Sequence, residues 1–336
     1  MGVSSLVKFA VSCHEIRPVA VTGSSVGSRL SRYSPAMHPK LSPTAALLLT
    51  VPPLLWAGNA VVGRLIGPLV SPMTLNFLRW LIAFALLLPL AAPVLRRGSG
   101  LWPNWRRFSL LGLLSVGSYN ALLYLALGTS TPLNVTLVGS STPVWMLLVG
   151  RLFFAVPVSR RQSIGALLSI SGVLLVLGRG ELQTLLHVRL VPGDLYVLLA
   201  SVGWAWYSWM LAHPTTEPTA IRADWSAFLI AQVVFGLFWS ALFAAAEWAL
   251  GKGHIEWSGA VIATLIFIAV GPAVIAFRAW GAGVARAGPA VAGFFANLTP
   301  LFTALLSSAV LAETPHLYHV LAFALIMGGI VVSSRR

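Results

Sequence analysis

Charge is scarce in this chain, and acidic charge scarcest. Asp and Glu number 8 among 336 residues, and all charged types together make up 9%. A soluble domain carries about a quarter charged residues to cover its surface, so the composition argues against a soluble globular protein. The eight acids are scattered and do not converge on one segment. A membrane-embedded enzyme would need clustered His, Asp or Glu near one interface, so catalysis is not expected. The single cysteine, Cys13, excludes an internal disulfide framework and a multi-cysteine metal site. The sequence also lacks CxxC, HExxH and a Gly-rich phosphate loop. Its seven histidines are dispersed. His316 and His319 share a helix face, but at a helix start where solvent is expected to take them up. No metal and no cofactor are therefore expected. Alternating ten-residue strands are missing too, which argues against an outer-membrane barrel.

What is present is apolar residue in long blocks. Hydrophobic types make up 57% of the chain and the mean hydropathy is +0.86. The apolar residues cluster into blocks of about 20, the length at which a helix spans the hydrocarbon core. Ten such segments are read: 44–66, 69–92, 108–128, 132–154, 161–179, 193–212, 225–247, 259–280, 287–310 and 316–333. Residues 1–43 form a polar leader with one acid, Glu15. It reads as a disordered tail with a faint likeness to an organellar transit peptide, and Met37 offers an alternative start. The net charge of +14 does not point to nucleic acid, because the basic residues occupy short loops and termini. Sixteen Lys and Arg fall on the side of the N-terminus and four on the other. The excess places both termini in the cytoplasm, in agreement with an even number of spans.

A helix pair occurs twice. Pro289 follows Pro132 by 157 positions, as Thr299-Pro300 follow Thr142-Pro143 and Gly329 follows Gly172, with no gap. The pair occupies segments four and five of one half and nine and ten of the other, so each copy has five helices. An odd number of spans forces the two copies into opposite orientations. The expected fold is an all-α integral membrane protein of ten transmembrane helices in two inverted five-helix repeats, 44–179 and 193–333. That is the architecture of carriers that alternate access about a midplane site.

The motifs LLWAGNAVVGR (54–64), NFLRWLIAF (76–84), YNALLYLALGTSTPLNVTLVGSSTPVWMLL (119–148), RRQSIGALLSISGVLLVL (160–177), GDLYVLLASVGWAWYSWML (193–211) and AWGAGVARAGPAVAGFFANLTPLFTALLSSAVLAE (279–313) follow one another in an order and spacing that resemble the EamA branch of the drug/metabolite transporter superfamily. The resemblance covers 44–333. It implies a multi-pass protein of the inner (plasma) membrane that moves small organic metabolites, with export the expected direction. One departure concerns the acidic residue with which that family commonly ends helices four and nine. Glu313 supplies it in the second half, whereas Val156 occupies the matched place in the first.

Polar groups inside a membrane are costly and tend to face the protein interior or a water-filled cavity. Arg79, in the middle of the second segment, is a candidate to pair a substrate carboxylate or to serve the bundle structurally, and the sequence leaves both open. Trp56, Asn59, Asn120, Tyr124, Asn134, Trp145, Trp204, Tyr207 and Asn297 are candidates for hydrogen bonding and stacking on an organic solute. Trp56 and Trp204 hold matched places in the two halves. Pro143, Pro300 and Pro272 are candidate kinks or hinges. Arg278, after Gly271-Pro272, is expected to snorkel to the headgroups. The expected partners are a small-molecule solute, such as an amino acid, and the lipid bilayer. Nucleic acid is not expected, and a homodimer stays open. A lipid or lipid-linked sugar flippase is the alternative reading.

Overall fold

Serine, aspartate and proline mark the helix starts, and they do so for the usual reason: the first turn has amides without partners, which an oxygen can satisfy or a proline can omit. Ser42 Oγ accepts from Ala45 N–H at 3.1 Å, Ser159 and Gln162 form a reciprocal capping box, and Asp224 and Ser258 cap two later helices. Pro43, Pro72, Pro192 and Pro289 each open a helix. The computed structural model describes residues 41–311 and 317–335, apart from 128, 131, 182, 184, 185 and 188–190. The polar leader up to residue 40, Glu313 and His316 lie outside the described residues.

The main helices are α1 (Pro43–Ile66), α2 (Pro72–Ala91), α3, α4, α5 (Arg160–Leu177), α6 (Pro192–Ala212), α7 (Trp225–Ala249), α8, α9 and α10 (Leu317–Ser334). Four are interrupted. A π turn, Leu113–Gly117, joins Trp105–Gly112 to Ser118–Leu127 in α3, and a second, Ala269–Ile275, joins Gly259–Ile268 to Ala276–Ala287 in α8. In α4, Pro132–Gly139 is separated from Thr142–Phe153, and in α9 Pro289–Ala296 from Leu298–Leu311. Among the described residues nine helices are long and apolar enough to cross a membrane. The expected third span is not one of them. It is helical over Trp105–Leu127, where the side chain of Tyr124 lies outside the described residues.

Three segments differ from the sequence reading, and the differences trace to backbone chemistry. Segments four and nine are not continuous. Each breaks one turn ahead of its proline, at Ser140-Ser141 and at Asn297. Proline brings no N–H to the carbonyl four residues earlier and its ring crowds that carbonyl. At Gly139 the orphaned oxygen accepts from Thr142 Oγ1 instead, at 2.7 Å. Segment eight runs on to Ala287 rather than stopping at 280, and the chain then turns at Gly288 with φ 81°, a conformation that glycine adopts without strain.

The packing obeys a symmetry that the helix list alone does not reveal. α1 lies against α8 and α9 of the other half, and α6 lies against α3 and α4. α2 pairs with α7, α4 with α9, and α5 with α10. Exchanging the two halves returns the same set of neighbours. The α5–α10 contact shows it at atomic scale. A Cβ on Gly165 would meet the Gly329 carbonyl oxygen at 2.7 Å, and one on Gly172 would meet that of Ala322 at 2.8 Å. Ala322 stands 157 positions after Gly165, as Gly329 does after Gly172. Lipid tails compete for apolar surface, so membrane helices associate by close backbone approach across small residues rather than by a hydrophobic drive. His319 belongs to the same inward face of α10 as Gly329 and is buried, not solvated as the sequence suggested.

Candidate functional site

The two tryptophans at matched places meet between α1 and α6. Trp56 of α1 stands edge-on to Trp204 of α6, with ring centroids 5.3 Å apart and planes at 86°. Trp280 of α8 closes the group at 5.5 Å from Trp56 and 5.4 Å from Trp204. Tyr119 of α3 joins at 5.3 Å, Tyr207 at 5.1 Å and Phe277 at 5.7 Å, all measured to Trp204. Edge-to-face and tilted contacts at these separations are each worth about 0.5–1.5 kcal/mol beyond burial. The cluster thus ties α1, α3, α6 and α8, two helices from each half.

The indole N–H groups are used to fix the rings. Trp56 Nε1 donates to the Pro272 carbonyl at 3.3 Å, inside the π turn of α8. A π turn frees backbone groups from the regular ladder and often marks functional positions. Trp280 Nε1 donates to Ser208 Oγ at 3.1 Å, and Ser208 donates to the Trp204 carbonyl at 2.9 Å. Trp204, Tyr207 and Trp280 are buried, whereas Trp56, Asn59, Tyr119 and Asn120 are half-buried.

Arg79 is 4% exposed, on the face of α2 that also carries Asn76 and Trp80. Its guanidinium carbon lies 5.3 Å from the Trp80 ring centroid. Trp80 contacts Phe277 at 4.9 Å, so unbroken ring contacts run from the arginine to Trp204. Beside it, Asn76 Nδ2 donates to the Val116 carbonyl at 3.2 Å, and Asn120 Nδ2 reaches Asn76 Oδ1 at 3.5 Å, the long limit for such a bond. The side chain of Asn59, one turn beyond Trp56, makes no hydrogen bond among the described residues.

Other candidates lie elsewhere. Asn297 is buried at the α9 break and donates to Ser169 Oγ of α5 at 3.0 Å, so it fastens helices. Trp145 Nε1 donates to Ser141 Oγ at 2.9 Å across the α4 break. Pro143 and Pro300 follow the two breaks, and Pro272 lies within the π turn. The side chains of Tyr124 and Asn134 lie outside the described residues. Sequence reasoning missed Asn76, Trp80, Tyr119, Phe277 and Trp280 as neighbours of the cluster. All but Phe277 lie within the family-like motifs, which was the available signal. It did not separate ring contacts from other apolar positions.

One end of this assembly is closed by ionic contacts. Arg107 of α3 donates to Glu217 Oε1 at 2.9 Å and to the Met210 and His213 carbonyls at 2.8 and 2.9 Å. Arg222 donates to the Leu211 carbonyl at 2.6 Å. Cations at a helix C-terminus satisfy its open carbonyls and its dipole. Burial tends to raise the Glu217 carboxyl, but the Thr215 amide and the Arg107 charge outweigh it and hold its pKa below the ordinary value. At the other end Glu247, near the end of α7, accepts from the Met73 and Thr74 amides at 3.1 and 2.9 Å and from Ser71 Oγ at 2.7 Å, so α7 caps the start of α2. Among the described residues no group of three or more His, Cys, Asp or Glu could hold a metal ion.

Comparison with known proteins bears on this geometry. The EamA-like transporter family profile matches twice, over residues 43–178 and 191–335. The chain is 25% identical over 237 residues to the uncharacterized transporter YyaM of Bacillus subtilis, covering 70% of this chain and 75% of that protein. An uncharacterized transporter of Archaeoglobus fulgidus is 23% identical over 301 residues, 86% of this chain and 97% of the relative. The aromatic amino acid exporter YddG of Ancylobacter novellus is 28% identical over 170 residues, 51% of this chain and 55% of YddG. A solved crystal structure superposes with a TM-score of 0.67 at 25% identity, covering 86% of this chain and 96% of the other. With helices in two matched sets, an aromatic cluster between them and a family match over nearly all the described residues, this chain belongs to the EamA-like transporter family.

Proposed function

We propose that this chain exports small organic metabolites, foremost amino acids with large apolar or aromatic side chains, by alternating access. The observation that carries the reading is the contact of Trp56 with Trp204 at the junction of the two halves, linked by rings to the buried Arg79. An aromatic wall offers stacking to a planar side chain, and a guanidinium offers charge-assisted hydrogen bonds to a carboxylate. The likeness to YddG, named an aromatic amino acid exporter, favours the same solute class. In this reading ten spans form two inverted repeats, 44–179 and 193–333, in the inner membrane with both termini cytoplasmic. In this reading Arg107, which pins the end of α6, closes the solute path on that side, and the half-buried Asn59 and Asn120 meet the solute from the other side. The breaks ahead of Pro143 and Pro300 and the π turn at Pro272 serve as the hinges.

The test is counterflow of labelled phenylalanine, alanine and glucose into proteoliposomes holding the purified protein. Phenylalanine is expected to accumulate over glucose. Trp204→Ala is expected to raise the apparent KM for phenylalanine roughly tenfold, the factor carried by about 1.4 kcal/mol of lost stacking. Arg79→Gln is expected to abolish preference for the carboxylate over neutral analogues. Unchanged transport of anionic and neutral solutes by both variants would overturn the assignment.

A further inference from the structure

Arg278 plays no part in the site above. It lies in the π-containing α8, within the membrane-crossing stretch Gly259–Ala287, yet its side chain is exposed. It makes no hydrogen bond or ion pair among the described residues. Its guanidinium stacks on Trp225, the first residue of α7, whose ring centroid is 4.4 Å from the guanidinium carbon. A charge on the outer surface of a span must find an anion or carry water to itself at a cost of several kcal/mol. Stacking on Trp225 holds this charge beside the first turn of α7, an end of a span, and covers one face of the guanidinium. The edge, with its N–H donors, stays available for a planar or tetrahedral oxyanion.

Trp225 also borders a surface depression of about 530 Å³, lined further by Leu90, Ala220, Ala223, Asp224 and Ser226. Asp224 is exposed. Its Oδ1 accepts from the Ser226 amide and hydroxyl, each at 2.7 Å, and from the Ala227 amide at 3.1 Å. Its Oδ2 takes no hydrogen bond among the described residues. Those bonds hold the carboxyl pKa below the ordinary value, so the group is anionic at any physiological pH. The depression therefore holds the anionic Asp224 oxygen and the apolar wall of Leu90, and Trp225, which borders it, carries the Arg278 guanidinium on its ring.

We infer that this depression is a binding site for a zwitterionic phospholipid with a primary ammonium, the phosphate on Arg278 and the ammonium on Asp224 Oδ2. A headgroup of net negative charge meets Asp224 repulsively. A trimethylammonium cannot donate a hydrogen bond to Oδ2. An ethanolamine phospholipid satisfies both poles. The site faces the lipid and is separate from the solute cluster, so it stands or falls independently of the cargo.

Native mass spectrometry of delipidated protein, titrated in turn with palmitoyl-oleoyl ethanolamine, choline and glycerol phospholipids, reads the site. The wild type is expected to retain one ethanolamine lipid about tenfold more than either other, the factor of one charge-assisted hydrogen bond. Arg278→Gln is expected to remove that retained lipid. Arg278→Met, apolar and of similar reach, serves with the same expectation where the Gln variant does not purify. Asp224→Asn keeps a capping oxygen for α7 and is expected to bring ethanolamine and choline lipids to equal retention. Equal retention by the wild type and the Arg278 variants, or a wild-type preference for the glycerol lipid, overturns the inference.

Discussion

The arginines show how one residue type is spent in several ways in the same membrane protein. Arg79 is buried against an indole, Arg107 and Arg222 close the carbonyl end of α6, and Arg278 stacks outward on Trp225. Sequence position separates them only in part. That Arg79 lies mid-span and Arg278 can reach an interface was legible from spacing. That Arg107 and Arg222 converge on α6 was not, because the contacts join residues more than a hundred positions apart in one case and across a turn in the other. Glu217 is the anion they share, and it sets a pH dependence. A carboxylate whose folded pKa lies below its unfolded value stabilises the fold above the unfolded value, and the contribution is lost as the pH falls through the folded one. Glu217→Gln is therefore expected to cost about 1–3 kcal/mol at pH 7. The gap to the wild type should close as the pH drops below about 4.3, the ordinary glutamate value. Thermal melting in detergent across that range measures it; a constant offset at every pH would show that the charge of Glu217 does not matter.

At the scale of the element, glycine decides which helices touch. Gly165 and Gly329 oppose each other so closely that a Cβ on either would lie within 2.7 Å of the other's carbonyl oxygen, nearer than real Cβ atoms approach. Gly165→Leu is expected to destabilise the protein by about 1–3 kcal/mol, as overpacking of a tight contact does, and Gly172→Leu to do the same at the related crossing. Gly281, with open space around its would-be Cβ, is the control. Gly281→Ala is expected to be neutral or stabilising by up to about 1 kcal/mol. Loss of melting temperature at both contact positions but not at Gly281 is the result that supports close approach; equal effects at all three would sink it. Proline chemistry predicted that α4 and α9 would be perturbed. It did not say that the helix would part a full turn earlier, because the response depends on which donor, such as Thr142 Oγ1, is near enough to take the freed carbonyl.

At the scale of the whole molecule, the two matched halves interlock: α1 and α6 each pack into the opposite set of helices. If each half has five spans, corresponding connections face opposite sides of the membrane. Cys13 is the only native cysteine, so a Cys13→Ser background permits single-cysteine mapping. Gly98→Cys, between α2 and α3, is expected to react with an impermeant maleimide only after lysis. Lys252→Cys, in the corresponding connection between α7 and α8, is expected to react in intact cells. Labelling of both from one side would contradict the inverted arrangement and the count of ten spans.

Composition, apolar run length and the 157-residue spacing by themselves determined that this is a helical membrane protein of duplicated design, because the bilayer fixes span length and duplication preserves register. The Trp-Ala dipeptide in the first helix of each half, Trp56-Ala57 and Trp204-Ala205, also singled out the two tryptophans, a local property of the chain. The tertiary structure alone decided that the two rings meet, that Trp280, Tyr119 and Phe277 complete the group, and that Asn297 fastens α9 to α5 through Ser169. Those outcomes depend on helix rotation and crossing distance. Both are set by side-chain contacts between segments far apart in sequence, which no periodicity within a single helix encodes.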